Sequence, residues 1–197
     1  MKKRKDSKKL MVILVSIIIV SSMIISIFAI VVDNQNQNSL DYNKHSFTVL
    51  DNGYKTKING TYMDFYYYPS DLERISLSPG ILSKIRGAQA LAFAFDPNVN
   101  VTDNLLYVDT FRYDIQTQMD KPVYFGITGK SDKYGSLPIV GCENATSYLP
   151  LILINISADT GFNVSEEYPN CIIMNGKLKE ILALKDRLVY GYYGIMS

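Results

Sequence analysis

The side chains best placed for chemistry fall at the ends of two apolar runs. Asp96 closes QALAFAFD, and Thr128, Lys130, Ser131 and Asp132 end or follow PVYFGIT. In open sheets with parallel strands, ligands sit beyond the carboxyl ends of those strands, so these five residues are expected on one ligand-binding rim. A carboxylate at Asp96 can there coordinate a cation, act as a general base or bind a ligand hydroxyl. The plainer alternative is a turn, because Asp96-Pro97-Asn98 lets the aspartate bond nearby backbone amides. Glu143 is a candidate second carboxylate beside Asp96 for glycoside hydrolysis, although spacing alone says nothing of their separation. The segment Gly126-Ile127-Thr128-Gly129-Lys130-Ser131 looks like the end of a phosphate-binding loop. It fails on two counts: Tyr124 stands where such a loop needs its first glycine, and DKYGSLP then breaks the helix that must follow.

Other chemistries are poorly supplied. The chain has one histidine, His45, so a histidine-based triad or a His-rich zinc site has little to draw on. There is no Gly-x-Ser-x-Gly elbow and no cluster with metal-ligand spacing, and no metal or cofactor is expected. Cys142 and Cys171 are the only thiols. In an oxidising compartment they form a bridge, which removes them as nucleophiles; the alternative is a pair of reduced, buried thiols. Closing a loop of about 30 residues is worth roughly 3–4 kcal/mol on the chain-entropy model.

The elements that must position these residues begin with an accessory segment. Of 197 residues, 20 are Lys or Arg and 19 Asp or Glu, a net charge of +1. Residues 1–9 hold six bases (Lys2, Lys3, Arg4, Lys5, Lys8, Lys9) and one acid (Asp6), so they carry +5 and leave −4 on the rest. A slightly acidic remainder argues against nucleic acid as a partner. From Leu10 to Val32 the chain runs 23 residues without a charge, interrupted by Ser16, Ser21, Ser22 and Ser26. This reads as a transmembrane signal anchor in contact with the lipid bilayer, with 1–9 a cytoplasmic basic tail and the C-terminal domain extracytoplasmic. A cleaved signal peptide is the alternative and leaves the domain on the same side. Residues 33–44, DNQNQNSLDYNK, read as a polar stalk. Five Asn-x-Ser/Thr acceptors, Asn59, Asn100, Asn144, Asn155 and Asn163, all follow the apolar segment, as expected of an external glycoprotein.

Residues 45–197 read as one α/β domain with a mixed sheet flanked by helices. Asn52-Gly53 and Asn59-Gly60 predict two tight hairpin turns joining strands at about 46–51, 54–58 and 61–68. Ser70-x-x-Glu73 suggests a short helical turn, and Ser78-Pro79 opens a helix ending near Gly87. Strand 89–96, a helix over 104–119 capped by Asp103, and strand 122–128 make a parallel βαβ unit. Strands at 149–157 and 171–176 and a final helix over 177–192 complete the order, with Lys179, Lys185 and Asp186 on its water-facing side. Arg187 is either a bridging buried charge or one more exposed residue, and the aromatic ending YGYYGIM is expected to dock.

FDPN (95–98), CENAT (142–146), CIIMNG (171–176) and DRLVYGYYGIM (186–196) together resemble a group of uncharacterised archaeal proteins with one N-terminal membrane anchor. That resemblance implies a host that glycosylates surface proteins on asparagine, and a disulfide joining the Cys142 and Cys171 motifs. It implies no activity. The expected role is a non-enzymatic envelope module that binds a protein, a glycan or a small ligand. A carboxylate-dependent hydrolase centred on Asp96, with Lys130 or Ser131 assisting, is the alternative.

Overall fold

The computed structural model describes residues 3–36, 39–99 and 105–197; Asn100 and Asp103 lie outside them. The chain divides into two units, Met1–Leu40 and Asp41–Ser197.

The first unit contains helix α1 (Lys3–Asn36). The expected membrane span over 10–32 is corrected here, because among the described residues no helix is long and apolar enough to cross a membrane. Polar groups break the apolar run: Ser16, Ser21, Ser22 and Ser26 interrupt it, and the Ser22 and Ser26 hydroxyls donate to the carbonyls of Ile19 and Ser22 in the preceding turn, each at 2.8 Å.

The second unit contains two sheets where one was expected. β1 (Ser39–Tyr42), β2 (His45–Leu50), β3 (Gly53–Ile58) and β4 (Thr61–Phe65) form a four-stranded sheet in sequence order, β1 arising inside the segment read as a stalk. β2–β3 and β3–β4 are antiparallel, with Phe47 opposite Thr56 and Tyr54 opposite Phe65. The Asn59-Gly60 turn forms as expected, both residues having positive φ, 49° and 88°. The first turn instead lies one residue earlier. Gly53 already pairs with Leu50, and a Cβ on it would run into the Phe65 carbonyl oxygen, so glycine is required there for strand approach.

The other sheet follows a 3-10 turn (Pro69–Leu72) and helix α2 (Pro79–Gly87). Ser78 caps α2, its Oγ accepting from the Ile81 amide at 3.3 Å. β5 (Leu91–Phe95), α3 (Leu105–Gln118) and β6 (Val123–Ile127) make the anticipated parallel βαβ unit. β7 (Leu151–Ile156) and β9 (Cys171–Gly176) extend the parallel sheet, and β8 (Gly161–Val164) adds an antiparallel edge, giving the order β6-β5-β7-β9-β8.

What separates the sheets is α4 (Ile181–Tyr192), which lies between them. On one side Tyr190 stacks on Phe65, ring centroids 4.3 Å apart, and meets Phe47 edge-on at 5.9 Å. On the other side α4 packs against α3 and β9. A helix enclosed on both faces must bury its whole circumference, and every residue from Ile181 to Gly191 is buried. This corrects the expectation that Lys185 and Asp186 face water. α3 behaves as an ordinary one-sided helix, burying Val108, Phe111, Ile115 and Met119. Among the described residues no α-helix covers the far face of the parallel sheet. There Ala94, Leu151 and Cys171 are covered by Val140, Cys142 and Ala145 from the long β6–β7 connection.

Candidate functional site

The rim proposed from sequence is only partly assembled. β5 and β6 are neighbours, so their carboxyl ends lie side by side, and Thr128 N donates to Phe95 O at 3.0 Å. Asp96 Oδ1 accepts from the Asn98 amide at 2.9 Å, which is the turn the plainer reading anticipated. Asn98 Nδ2 then reaches Lys130 O at 3.1 Å and ties the two strand ends together. Asp96 itself is exposed at the strand end. Beside it Phe95, Val108, Ile154 and Ile156 enclose a void of about 10 Å³, room for no more than one water. Lys130, Ser131 and Asp132 instead border a separate depression of about 310 Å³ with Gly135 and Leu137, and Thr128 lines neither. That loop is fixed from beneath: Tyr134 Oη donates to the Asp109 carboxylate at 3.0 Å, and Asp109 also pairs with Arg112 at 3.1 Å.

Cys142 and Cys171 are joined in a disulfide, with Cα atoms 5.2 Å apart. Because Cys171 begins β9, Glu143 lies toward the amino ends of the parallel strands, while Asp96 follows a carboxyl end. The two carboxylates therefore stand at opposite edges of the sheet and do not converge on one sugar. Gly126 serves packing: a Cβ there would run into Val140 Cγ2 where the connection crosses the sheet. Among the described acceptor asparagines, Asn59 sits exposed on a turn and Asn163 exposed on the edge strand β8. Asn144 Oδ1 accepts from Gly141 N at 2.9 Å, and Asn155 Nδ2 is occupied by Asn175 Oδ1 at 2.7 Å.

Three consecutive charges on α4 form the densest buried polar group. Asp186 Oδ2 accepts from the Tyr66 and Tyr67 amides at 2.7 and 2.9 Å, and its Oδ1 lies 2.5 Å from Lys185 Nζ. Lys185 Nζ also meets Gln118 Oε1 at 3.1 Å and Asp114 Oδ2 at 3.5 Å. Burial pushes the Asp186 carboxyl above the usual aspartate range despite these partners. The same loss of water raises the Tyr66 phenol to about 12, Asp114 adding to it. Lys185 Nζ thus meets Asp186, Gln118 and Asp114, and the Lys185–Asp186 pair joins α4 to the end of β4.

Arg187 differs. It is 3 % exposed, and its Nε and Nη2 donate to the carbonyls of Ile75 (2.9 Å) and Ser197 (2.7 Å). Its Nη1 is buried without a hydrogen-bond partner, and no carboxylate side chain pairs with it among the described residues. Burial lowers its pKa from the ordinary arginine value.

Ser197 leads outward to a cleft of about 1080 Å³ between α2, the β1–β2 turn and the segment after α4. Its floor is apolar, with Leu82, Ile195 and Met196 buried. The docked ending was legible as such: Ile195 N and Met196 N donate to Tyr190 O. Its walls carry Lys44 and Arg86, both exposed, and no Asp or Glu among the described residues. Arg86 donates to the carbonyls of Gly191 and Tyr192 at the end of α4, where a cation also favours the helix dipole. The β1–β2 turn is held in an uncommon form, with Asn43 at φ 44° and Lys44 at φ 69°. Asn43 Nδ2 pins it by donating to Ile195 O at 2.9 Å. No local sequence signal pointed here, since Lys44, Arg86 and Met196 are far apart in the chain.

No protein-family model, curated protein or solved structure matches the chain.

Proposed function

We propose that Asp41–Ser197 is an extracytoplasmic binding module of a cell envelope, one that holds a ligand and performs no chemistry on it. The observation that carries the binding role is the α2 cleft. It is open and of ligand size, it has an apolar floor and cationic walls, and no Asp, Glu or Cys side chain is among its described lining residues. The Cys142–Cys171 bridge supports the external compartment, because such bonds persist where the surroundings are oxidising. The hydrolase alternative gains no support from Asp96, whose Oδ1 accepts from the Asn98 amide in a turn and which stands at the opposite edge of the sheet from Glu143.

The compartment is tested by the intact mass of the protein from its native source, with thiol labelling before and after reduction and with release of Asn-linked glycans. Two thiols that label only after reduction are expected. So is glycan at Asn59 or Asn163 ahead of Asn155, whose amide is already bonded to Asn175. Thiols that label freely without reduction, on a chain without glycan, would overturn the external assignment.

A further inference from the structure

We infer that the α2 cleft receives an acidic peptide segment of a protein partner. This rests on taking the cleft as the binding site and adds the class of ligand. The first support is charge. Beyond residue 9 the chain carries −4, yet the cleft gathers Lys44 and Arg86 with no acid on its walls. Neither cation has an ion-pair partner among the described residues. Behind them the buried Arg187 donates through Nη2 to Ser197 O on the cleft wall. An incoming carboxylate would meet the Lys44 and Arg86 charges with no Asp or Glu side chain among the described lining residues.

The second support is backbone conformation. A two-residue hairpin turn with both φ values positive favours asparagine or glycine, and the second position most often takes glycine. Here it holds Lys44 at φ 69° and presents its ammonium beside the cleft. Uncommon backbone held by surrounding structure, in this case the Asn43–Ile195 bond, is found where function requires it.

The third support separates a peptide from an acidic glycan. No aromatic ring lines the cleft, so a sugar would have no stacking platform. Leu82 and Met196 on the floor beside Lys44 and Arg86 suit a segment that carries both acidic and apolar side chains.

The test is fluorescence anisotropy of the full-length protein with a labelled nonapeptide alternating Glu and Leu. Its Gln-for-Glu counterpart and a tetragalacturonate serve as comparisons, at 50 and 300 mM salt. Arg86 also caps α4, so the informative variants are Lys44→Gln and Ser83→Glu, the latter placing a negative charge on an exposed wall residue. The acidic peptide should bind, weaken at the higher salt, and lose at least roughly tenfold in affinity in each variant, a change of about 1.4 kcal/mol. Equal binding of the neutral peptide, or no effect of either substitution, would overturn the inference. Lys44-dependent binding of the tetragalacturonate alone would overturn the partner class and leave the cleft as the binding site. No binding of either probe would count against both.

Discussion

Replacing Asp186 with alanine tests whether α4 is fastened to the β4 end by charge. In the native protein the carboxylate is completely buried, accepts two main-chain amides and lies 2.5 Å from Lys185 Nζ. After the substitution Lys185 keeps only Gln118 at 3.1 Å and Asp114 at 3.5 Å, and the Tyr66 and Tyr67 amides have no acceptor. Removing one member of a buried pair costs about 3–5 kcal/mol. An orphaned amide costs about 1–3 kcal/mol, a penalty that overlaps the first because water entering the site serves both. A net loss of about 4 kcal/mol is expected, a large share of the roughly 5–15 kcal/mol that holds a domain together. With a urea m-value of about 2 kcal/mol/M, the unfolding midpoint should fall by about 2 M. Lys185→Met should cost less, because Asp186 retains both amides. Lys185→Met combined with Asp186→Asn should cost less than the sum of the two single changes, by about 0.5–3 kcal/mol. A midpoint shift in Asp186→Ala worth under 1 kcal/mol, or additivity in the double variant, would refute the reasoning.

Replacing Cys142 and Cys171 together by serine should lower stability by about 3 kcal/mol, given the 29-residue separation they close, and is read as a fall in melting temperature. Ser78→Ala should cost about 1 kcal/mol by leaving the Ile81 amide uncapped, and a urea midpoint within error of wild type would show the cap to be idle. Glu180 accepts from Thr160 Oγ1 at 2.5 Å and from Lys177 N at 3.1 Å, and these bonds hold its carboxyl below the ordinary value of 4.5. The stability it contributes is therefore present above that value and lost as pH falls through the lowered one. Glu180→Gln should flatten the acid limb of a stability–pH curve and lower the neutral plateau slightly.

The parts legible in sequence were those set by near neighbours. α2 was readable to the residue, because its start is a capping serine before proline and its end a glycine. β5 and β6 followed from short apolar runs bounded by proline or charge. β1 and β8 were missed because each has four residues, and between them only Phe162 is buried; they exist through edge pairing, which leaves little trace in composition. Periodicity cannot say which strands are neighbours, so two sheets were read as one. The same limit hid the burial of Lys185 and Asp186, since a helix with two polar residues in sequence looks one-sided until a second sheet covers it. Asp96 does follow the end of β5, but that Lys130, Ser131 and Asp132 border a different depression from Asp96 is a matter of tertiary packing. The cleft was beyond reach because its cations meet only through tertiary structure.

The position of α4 in the chain bears on the order in which this domain can be made. Every strand precedes it, so a chain emerging amino end first completes both sheets before the helix that separates them exists. Until then Phe47 and Phe65 lack Tyr190, the Tyr66 and Tyr67 amides lack their carboxylate, and β9 lacks its α4 cover. Neither sheet gains its full burial alone, and the arrival of α4 locks both at once. Until then the apolar faces that α4 covers stay open, the kind of exposure that makes folding intermediates prone to aggregate.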